Sequence, residues 1–271
     1  MTPEILSVSA DFLILALGLT VGSFLNVVIH RGPVIWGLVA REETSGAYTL
    51  STPRSHCPAC LQQIRIIHLI PLLGFILSAG KCHTCKEAIA WRYPAVELLA
   101  GISALTAVTA YGYTLPALAM FIFFCFLIPL AFIDQQTSLL PDALTLPFML
   151  LGLMANSISL LVPWQDALIG TIAGFLTFWL IGELYYRLRG EDGLGLGDAK
   201  LLAGIGGWLG WLALPFVVLL ASLAGLMLLG LVRVRGGNLT LTTGLPFGPP
   251  LALAAGAVML LQAFGFAFWQ V

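Results

Sequence analysis

Two aspartates and two cysteine pairs are the residues of this 271-residue chain whose types and spacing can do chemistry. Asp134 closes the apolar run Leu127-Ile-Pro-Leu-Ala-Phe-Ile-Asp134, and Asp198 stands in Gly193-Leu-Gly195-Leu-Gly197-Asp198-Ala-Lys200. The chain holds thirteen acidic residues, most of them in loops or at the ends of apolar runs, so a carboxylate at such a boundary is a functional candidate by default. Two carboxylates on different helices can share one proton, because like charges a few ångströms apart do not both ionise. The ionised partner then acts as general base on a water, and the protonated one donates to a scissile carbonyl. The glycines before Asp198 remove side chains, so a second backbone can come close. The competing reading is a pair of ordinary helix-end residues. An Asp at a helix N-terminus meets the macrodipole favourably, which suits Asp198 and suits Asp134 poorly. Spacing leaves both readings open. Asp142, in Leu140-Pro141-Asp142, reads as the N-cap of the helix that follows.

Cys57-Pro-Ala-Cys60 and Cys82-His-Thr-Cys85 are two CxxC knuckles with 21 residues between them. A knuckle bends the backbone so that both sulfurs converge, and two knuckles supply the four thiolates of a tetrahedral zinc site. With no open coordination position, one such zinc ion is structural, and it would help fix a loop with little core of its own. Two disulfides are the rival reading, and a reducing cytoplasm argues against them. His56 and His83 sit beside the cysteines as substitute ligands.

These residues are carried by a chain that is 59% apolar and 9% charged, with a mean hydropathy of +0.98. A soluble domain carries about 25% charged residues, so lipid is the expected solvent for much of this one. A net charge of -1 argues against a nucleic-acid partner. Apolar runs long enough to cross a bilayer lie near 11–29, 94–112, 115–133, 143–163, 167–188, 211–232 and 247–270, and a Gly-rich stretch near 199–211 makes an eighth. The run 66–79 is too short to cross and reads as a core helix or an interfacial segment. The first run ends in Asn26, His30 and Arg31 without a small-residue cleavage site, and is expected to be a retained span.

Orientation follows the positive charges. Arg31, Arg41, Arg54, Arg65, Lys81, Lys86 and Arg92 lie in the 30–93 loop, Arg187, Arg189 and Lys200 flank the fifth-to-sixth connection, and Arg233 and Arg235 follow the seventh run. Eight spans put all twelve on the side of the large loop, which predicts a cytoplasmic loop with both aspartates at the same face. The expectation is an all-α polytopic membrane protein of about eight transmembrane helices with a cytoplasmic zinc-knuckle loop. It divides into a first helix over 1–30, a cysteine-rich loop over 31–93 and a helix bundle over 94–271. No convincing internal repeat is visible, and Gly170 with Gly174 read as helix-packing positions.

Taken in order, seven motifs resemble those of the type IV prepilin peptidases, bifunctional leader peptidases and N-methyltransferases of bacterial pilus and type II secretion systems. They are Gly22-Ser-Phe-Leu-Asn-Val-Val-Ile-His-Arg31, Pro53-Arg-Ser-His-Cys57-Pro-Ala-Cys60, Gly80-Lys-Cys82-His-Thr-Cys85, Arg92-Tyr-Pro-Ala-Val-Glu97-Leu-Leu, Phe132-Ile-Asp134 with Leu140-Pro-Asp142, Gly195-Leu-Gly197-Asp198-Ala-Lys200-Leu-Leu, and Pro246-Phe-Gly-Pro249. The resemblance implies a metal-independent aspartyl peptidase of the bacterial inner membrane, working at the cytoplasmic boundary with Asp134 and Asp198 as its catalytic residues. It also implies a prepilin or pseudopilin substrate with a short basic leader, cleaved after Gly. The new N-terminus, usually Phe, would be methylated from S-adenosylmethionine. Asp142, Glu191, Asp192, Glu42 and Glu43 are expected to attract the basic leader. The cysteine loop is linked by the same resemblance to methyl transfer, with Lys81 and Glu97 as adjacent candidates. Its stretch Ile66-Ile-His68-Leu69-Ile70-Pro71 is more apolar than the family pattern.

Two other classes stand as alternatives. An ion-coupled transporter would use the aspartates as ion ligands and calls for broken midplane helices and a related second half, neither of which the sequence offers. A presenilin-like GxGD protease of other substrates shares the second aspartate motif but not the cysteine loop or the Gly22 to Arg31 opening.

Overall fold

The computed structural model describes residues 3–40, 48–191, 193–234 and 246–266, with the backbone alone for residues 3–8 and Val232. Among the described residues the chain is helical, with no strand. In chain order the helices are α1 (Pro3–Ile35), α2 (Leu73–Leu77), α3 (Arg92–Tyr111), α4 (Leu115–Thr137), α5 (Asp142–Ser157), α6 (Trp164–Arg189), α7 (Leu196–Leu209), α8 (Leu214–Val234) and α9 (Gly248–Ala263). Five are long and apolar enough to cross a membrane: Ser9–Ile35, Arg92–Tyr111, Leu115–Thr137, Trp164–Arg189 and Trp211–Leu231. This is a multi-pass membrane protein.

The expected eight spans correspond to eight helices of fourteen residues or more among the described residues, but three of them are short. The run 143–163 forms a helix of 16 residues, Asp142–Ser157; 247–270 forms Gly248–Ala263, with 267–270 outside the described residues. The Gly-rich stretch does not merge with its neighbour. It forms α7, closed by Gly210 at φ +79° before a short 3-10 turn opens α8. The run 66–79 does not span, as expected, and folds as a 3-10 turn over Ile66–Leu69 followed by α2.

The chain divides into two compact units, Met1–Ala117 and Leu118–Val271. In the first, α1 and α3 run antiparallel. Tyr113 at one end donates its hydroxyl to Asp11, and Asn26 near the other donates Nδ2 to the Tyr93 carbonyl over 2.9 Å. Arg31 is buried. Its guanidinium donates to the carbonyls of Thr49 (2.9 Å), Leu50 (3.3 Å) and Pro53 (2.6 Å), so it ties the start of the cysteine module to α1.

In the second unit, α7 is the axis. Every residue from Leu201 to Leu209 is buried, as befits a short helix that is apolar all round. Gly170 and Gly174 of α6 make this possible: a Cβ at Gly170 would stand 2.5 Å from the Gly206 carbonyl, and one at Gly174 2.6 Å from that of Leu202. Phe123 (α4), Phe148 (α5) and Trp208 (α7) pack as a buried aromatic cluster with centroids 5.5 to 5.9 Å apart, and the Trp208 indole donates to the Phe148 carbonyl. Asn156, fully buried, donates to the carbonyls of Gly207 and Trp208 at the end of α7. Its Oδ1 accepts from the N–H groups of Leu161 and Val162. One side chain thus satisfies carbonyls that a helix end leaves unpaired and sets the α5–α6 link.

Candidate active site

Asp134 lies one turn before the end of α4, in a segment apolar enough to be drawn into the bundle, and it is 4% exposed. Asp198 lies in the first turn of α7, half-buried. The two belong to the same compact unit. Gly195 precedes α7 in an extended conformation; a side chain there would stand 3.5 Å from Oδ2 of Asp198.

A third helix end joins them. Gly248, the first residue of α9, donates its backbone N–H to Oδ2 of Asp134 over 2.9 Å. That N–H is one of the donors a helix N-terminus leaves unpaired, and the positive end of the helix dipole suits a carboxylate. A Cβ on Gly248 would stand 2.6 Å from Oδ2 and 2.8 Å from Cγ of Asp134, so the site takes no side chain here. The motif Pro246 to Pro249 was visible in the sequence without a role. Its signal was the pair Pro249 and Pro250 just inside a helix start, which marks the helix but not its carboxylate partner.

Asp142 differs from its expected N-cap role. Pro141 takes the cap position with an extended backbone, and Asp142 stands inside the first turn with its Oδ1 2.6 Å from Nζ of Lys200. This ion pair ties the start of α5 to α7, two residues after Asp198. Leu140 of that connection packs against Gly197. Of the acidic residues expected to meet a basic leader, Asp142 is therefore matched by Lys200 and Glu191 is exposed at the end of α6. Asp192, Glu42 and Glu43 lie outside the described residues, as do Arg41 and Arg235.

In the first unit, Cys57, Cys60, Cys82 and Cys85 bring their sulfurs within 4.8 Å of one another. The Cys57 and Cys85 sulfurs are 3.8 Å apart and those of Cys60 and Cys82 3.9 Å, and all four thiols are free. The knuckles are built alike. The N–H of the residue after each pair, Leu61 or Lys86, donates to the carbonyl of Cys57 or Cys82, and both residues have positive φ, 58° and 62°. The sequence shows this local repeat only as spacing. Backbone N–H groups of Cys85 and Thr84 point at the Cys82 sulfur and hold that thiol down at about 6, while Cys85, despite the Glu87 N–H, is pushed up by desolvation and the neighbouring sulfurs. The four cysteines can hold one metal ion. His56 turns its ring to the Arg54 carbonyl and His83 sets its ring at a tilt to that of His68; neither belongs to the sulfur cluster. Glu97 accepts the Leu72 N–H over 2.8 Å, and Lys81 pairs with Ala88 in an isolated bridge.

Comparison with known proteins gives the following. Residues 16–111 match the family model for the bacterial peptidase A24 N-terminal domain, and residues 121–230 match that of the type IV leader peptidase family. The chain is 41% identical over 263 residues to a protein of Dickeya chrysanthemi named prepilin leader peptidase/N-methyltransferase, covering 93% of each. Proteins of the same name from Stutzerimonas stutzeri and Neisseria gonorrhoeae are 42% and 40% identical, over 91% and 93% of this chain and 89% and 90% of their own lengths. No solved structure matches.

Proposed function

The chain belongs to the type IV leader peptidase family, and we propose that Asp134 and Asp198 are its catalytic pair. It is an aspartic endopeptidase that removes leaders from prepilins, with N-methyltransferase activity. The observation that carries the pair is their placement: a buried and a half-buried carboxylate in one compact unit, at helix ends, with the N-terminus of a third helix on Asp134, in a bundle with few other charges.

The chemistry follows from a shared proton. The ionised carboxylate takes a proton from a water lying between the two, and the protonated one donates to the carbonyl oxygen of the scissile bond. The tetrahedral intermediate then collapses as a proton moves to the departing amine. The Gly248 N–H fixes Oδ2 of Asp134, which leaves Oδ1 for the water. The glycines around Asp198 leave room for an extended peptide backbone.

The substrates are prepilins or pseudopilins with a short basic leader and an apolar N-terminal helix, cut after Gly. Methyl transfer to the new amine uses S-adenosylmethionine and belongs to the module of residues 31–93; residues 94–271 are the peptidase bundle and residues 1–30 the first span. The four cysteines hold one structural zinc ion, supported by their spacing, since a tetrahedral ion with Zn–S bonds of about 2.3 Å sets sulfurs about 3.8 Å apart. All eight long helices are embedded in the bacterial inner membrane, with the aspartates and the cysteine module toward the cytoplasm. The distribution of Lys and Arg supports that side.

The test is to incubate the purified protein with a prepilin in detergent and read the product masses. Loss of the leader and a gain of one methyl group are expected. Cleavage that survives Asp134→Ala or Asp198→Ala would overturn the catalytic pair. For the exposed Glu191, unchanged processing of Glu191→Gln at low and moderate salt would remove its role toward the leader.

A further inference from the structure

Between Arg65 and Lys81 the chain carries no charged side chain, and its apolar residues do not form a core. Ile66 is 72% exposed and Ile76 67%, and Ile67, Ile70, Leu73 and Leu77 are exposed too. A patch of this kind on a protein surface marks a partner or a lipid contact. Two contacts within the same compact unit fix where it sits. The Leu72 N–H donates to the carboxylate of Glu97, and the Phe75 ring packs on that of Trp91, with centroids 5.4 Å apart.

Those contacts set a depth. Glu97 is five residues into α3, about 7.5 Å along its axis at 1.5 Å per residue. The 20 residues of α3 make about 30 Å, the thickness of a bilayer's hydrocarbon core; with α3 spanning that core, Glu97 and Leu72 fall inside it. Gly22 gives the same level on α1: a Cβ there would stand 2.6 Å from the Glu97 Cα, and α1 continues for thirteen residues to Ile35. The exposed Leu98, Leu99 and Ile102 of α3 continue the apolar surface. Trp91, 78% exposed, stands at the helix start, where indole rings favour the headgroup level.

At the turn of the segment part of the backbone is paired. In lipid, an unpaired N–H costs several kcal/mol. Leu72 gives its N–H to a carboxylate, Leu73 to the Pro71 carbonyl, Gly74 to that of Ile70 and Ile76 to that of Leu72. Ser78 returns its hydroxyl to the Phe75 carbonyl.

We propose that residues 66–77 are a lipid-inserting wedge, which enters the hydrocarbon of the bilayer beside α3 and returns on the same side. Its occupant is the acyl region of the leaflet nearer the cysteine module. Arg65 and Lys81 bracket the wedge and reach phosphates at the headgroup level. Glu97 sets the depth, and the wedge ties the thiol cluster to the membrane at both knuckles.

The test uses the full chain in vesicles of phosphatidylethanolamine and phosphatidylglycerol, with p-benzoylphenylalanine placed singly at Ile70, Ile76, Leu99 or Glu87. Photolysis is expected to give phospholipid adducts at Ile70 and Ile76 as at Leu99, and none at Glu87. Loss of the Ile76 adduct in the Glu97→Ala background, with the Leu99 adduct kept, is the expected sign that Glu97 sets the depth. Absence of lipid adducts at both Ile70 and Ile76 while Leu99 gives one overturns the wedge. Replacement of those adducts by adducts to an added prepilin overturns lipid as the occupant in favour of a substrate-docking surface.

Discussion

Gly248 donates its N–H to Oδ2 of Asp134 across 114 residues of sequence, at 2.9 Å. The first turn of α9 thereby becomes part of the aspartate site.

Gly248→Ala should therefore be a catalytic lesion. Its methyl group would stand 2.6 Å from that oxygen, and a carboxylate displaced by about 1 Å costs on the order of 100-fold in rate. A drop of that size in kcat for leader removal, with an unchanged melting temperature in detergent, is the expected outcome. Wild-type cleavage by Gly248→Ala would show that the contact is dispensable.

Asp134→Asn and Asp198→Asn should each abolish cleavage, and the double variant should be no worse than either single, because groups acting as one unit are not additive. Methylation of a pilin supplied already cleaved should persist in all three. Product masses on intact and pre-cleaved substrate separate the two activities.

Lys200 and Asp142, 2.6 Å apart, are both partly exposed, so solvent screens the pair. A double-mutant cycle with Lys200→Gln and Asp142→Asn should give a coupling of about 0.5–1 kcal/mol. In cleavage rate this is a roughly two- to fivefold effect. Full additivity in the cycle would mean that the pair does not position α7.

Cys57→Ser should lower bound zinc from one ion per chain, measured by elemental analysis of the purified protein. The thiols and the aspartates belong to different compact units, so cleavage should outlast metal removal and methylation should fall first. Equal loss of both activities would contradict that separation.

Asn156→Leu removes four hydrogen bonds, two donated by Nδ2 and two accepted by Oδ1, from a fully buried position. The stranded carbonyls and N–H groups should cost about 2–4 kcal/mol of stability, read as an earlier unfolding transition in detergent at unchanged zinc content.

The helices were legible because hydropathy reports the solvent a segment prefers. The aspartates and cysteines were legible because charges and thiols are conspicuous in so apolar a chain. The length of the short helices was not. The apolar signal near 143–163 runs past Ser157, where the helix stops and Asn156 takes over the N–H groups of Leu161 and Val162. Asp142 looked like a cap because an Asp beside a helix start often is one. Pro141, locked in its φ, already filled the cap, and the carboxylate went to Lys200 instead.

The sequence by itself determined a helical membrane protein, singled out the two aspartates as candidates and paired the four cysteines that can hold a metal ion, since each follows from composition or from local spacing. Only the tertiary structure decided that α7 is wrapped by protein rather than lipid, that Gly248 reaches Asp134, and that the segment 66–77 hangs on Glu97. Apolar side chains favour a protein interior and a bilayer interior alike, and a backbone N–H has no signature in the sequence. Those outcomes depend on which helix ends and faces meet in space.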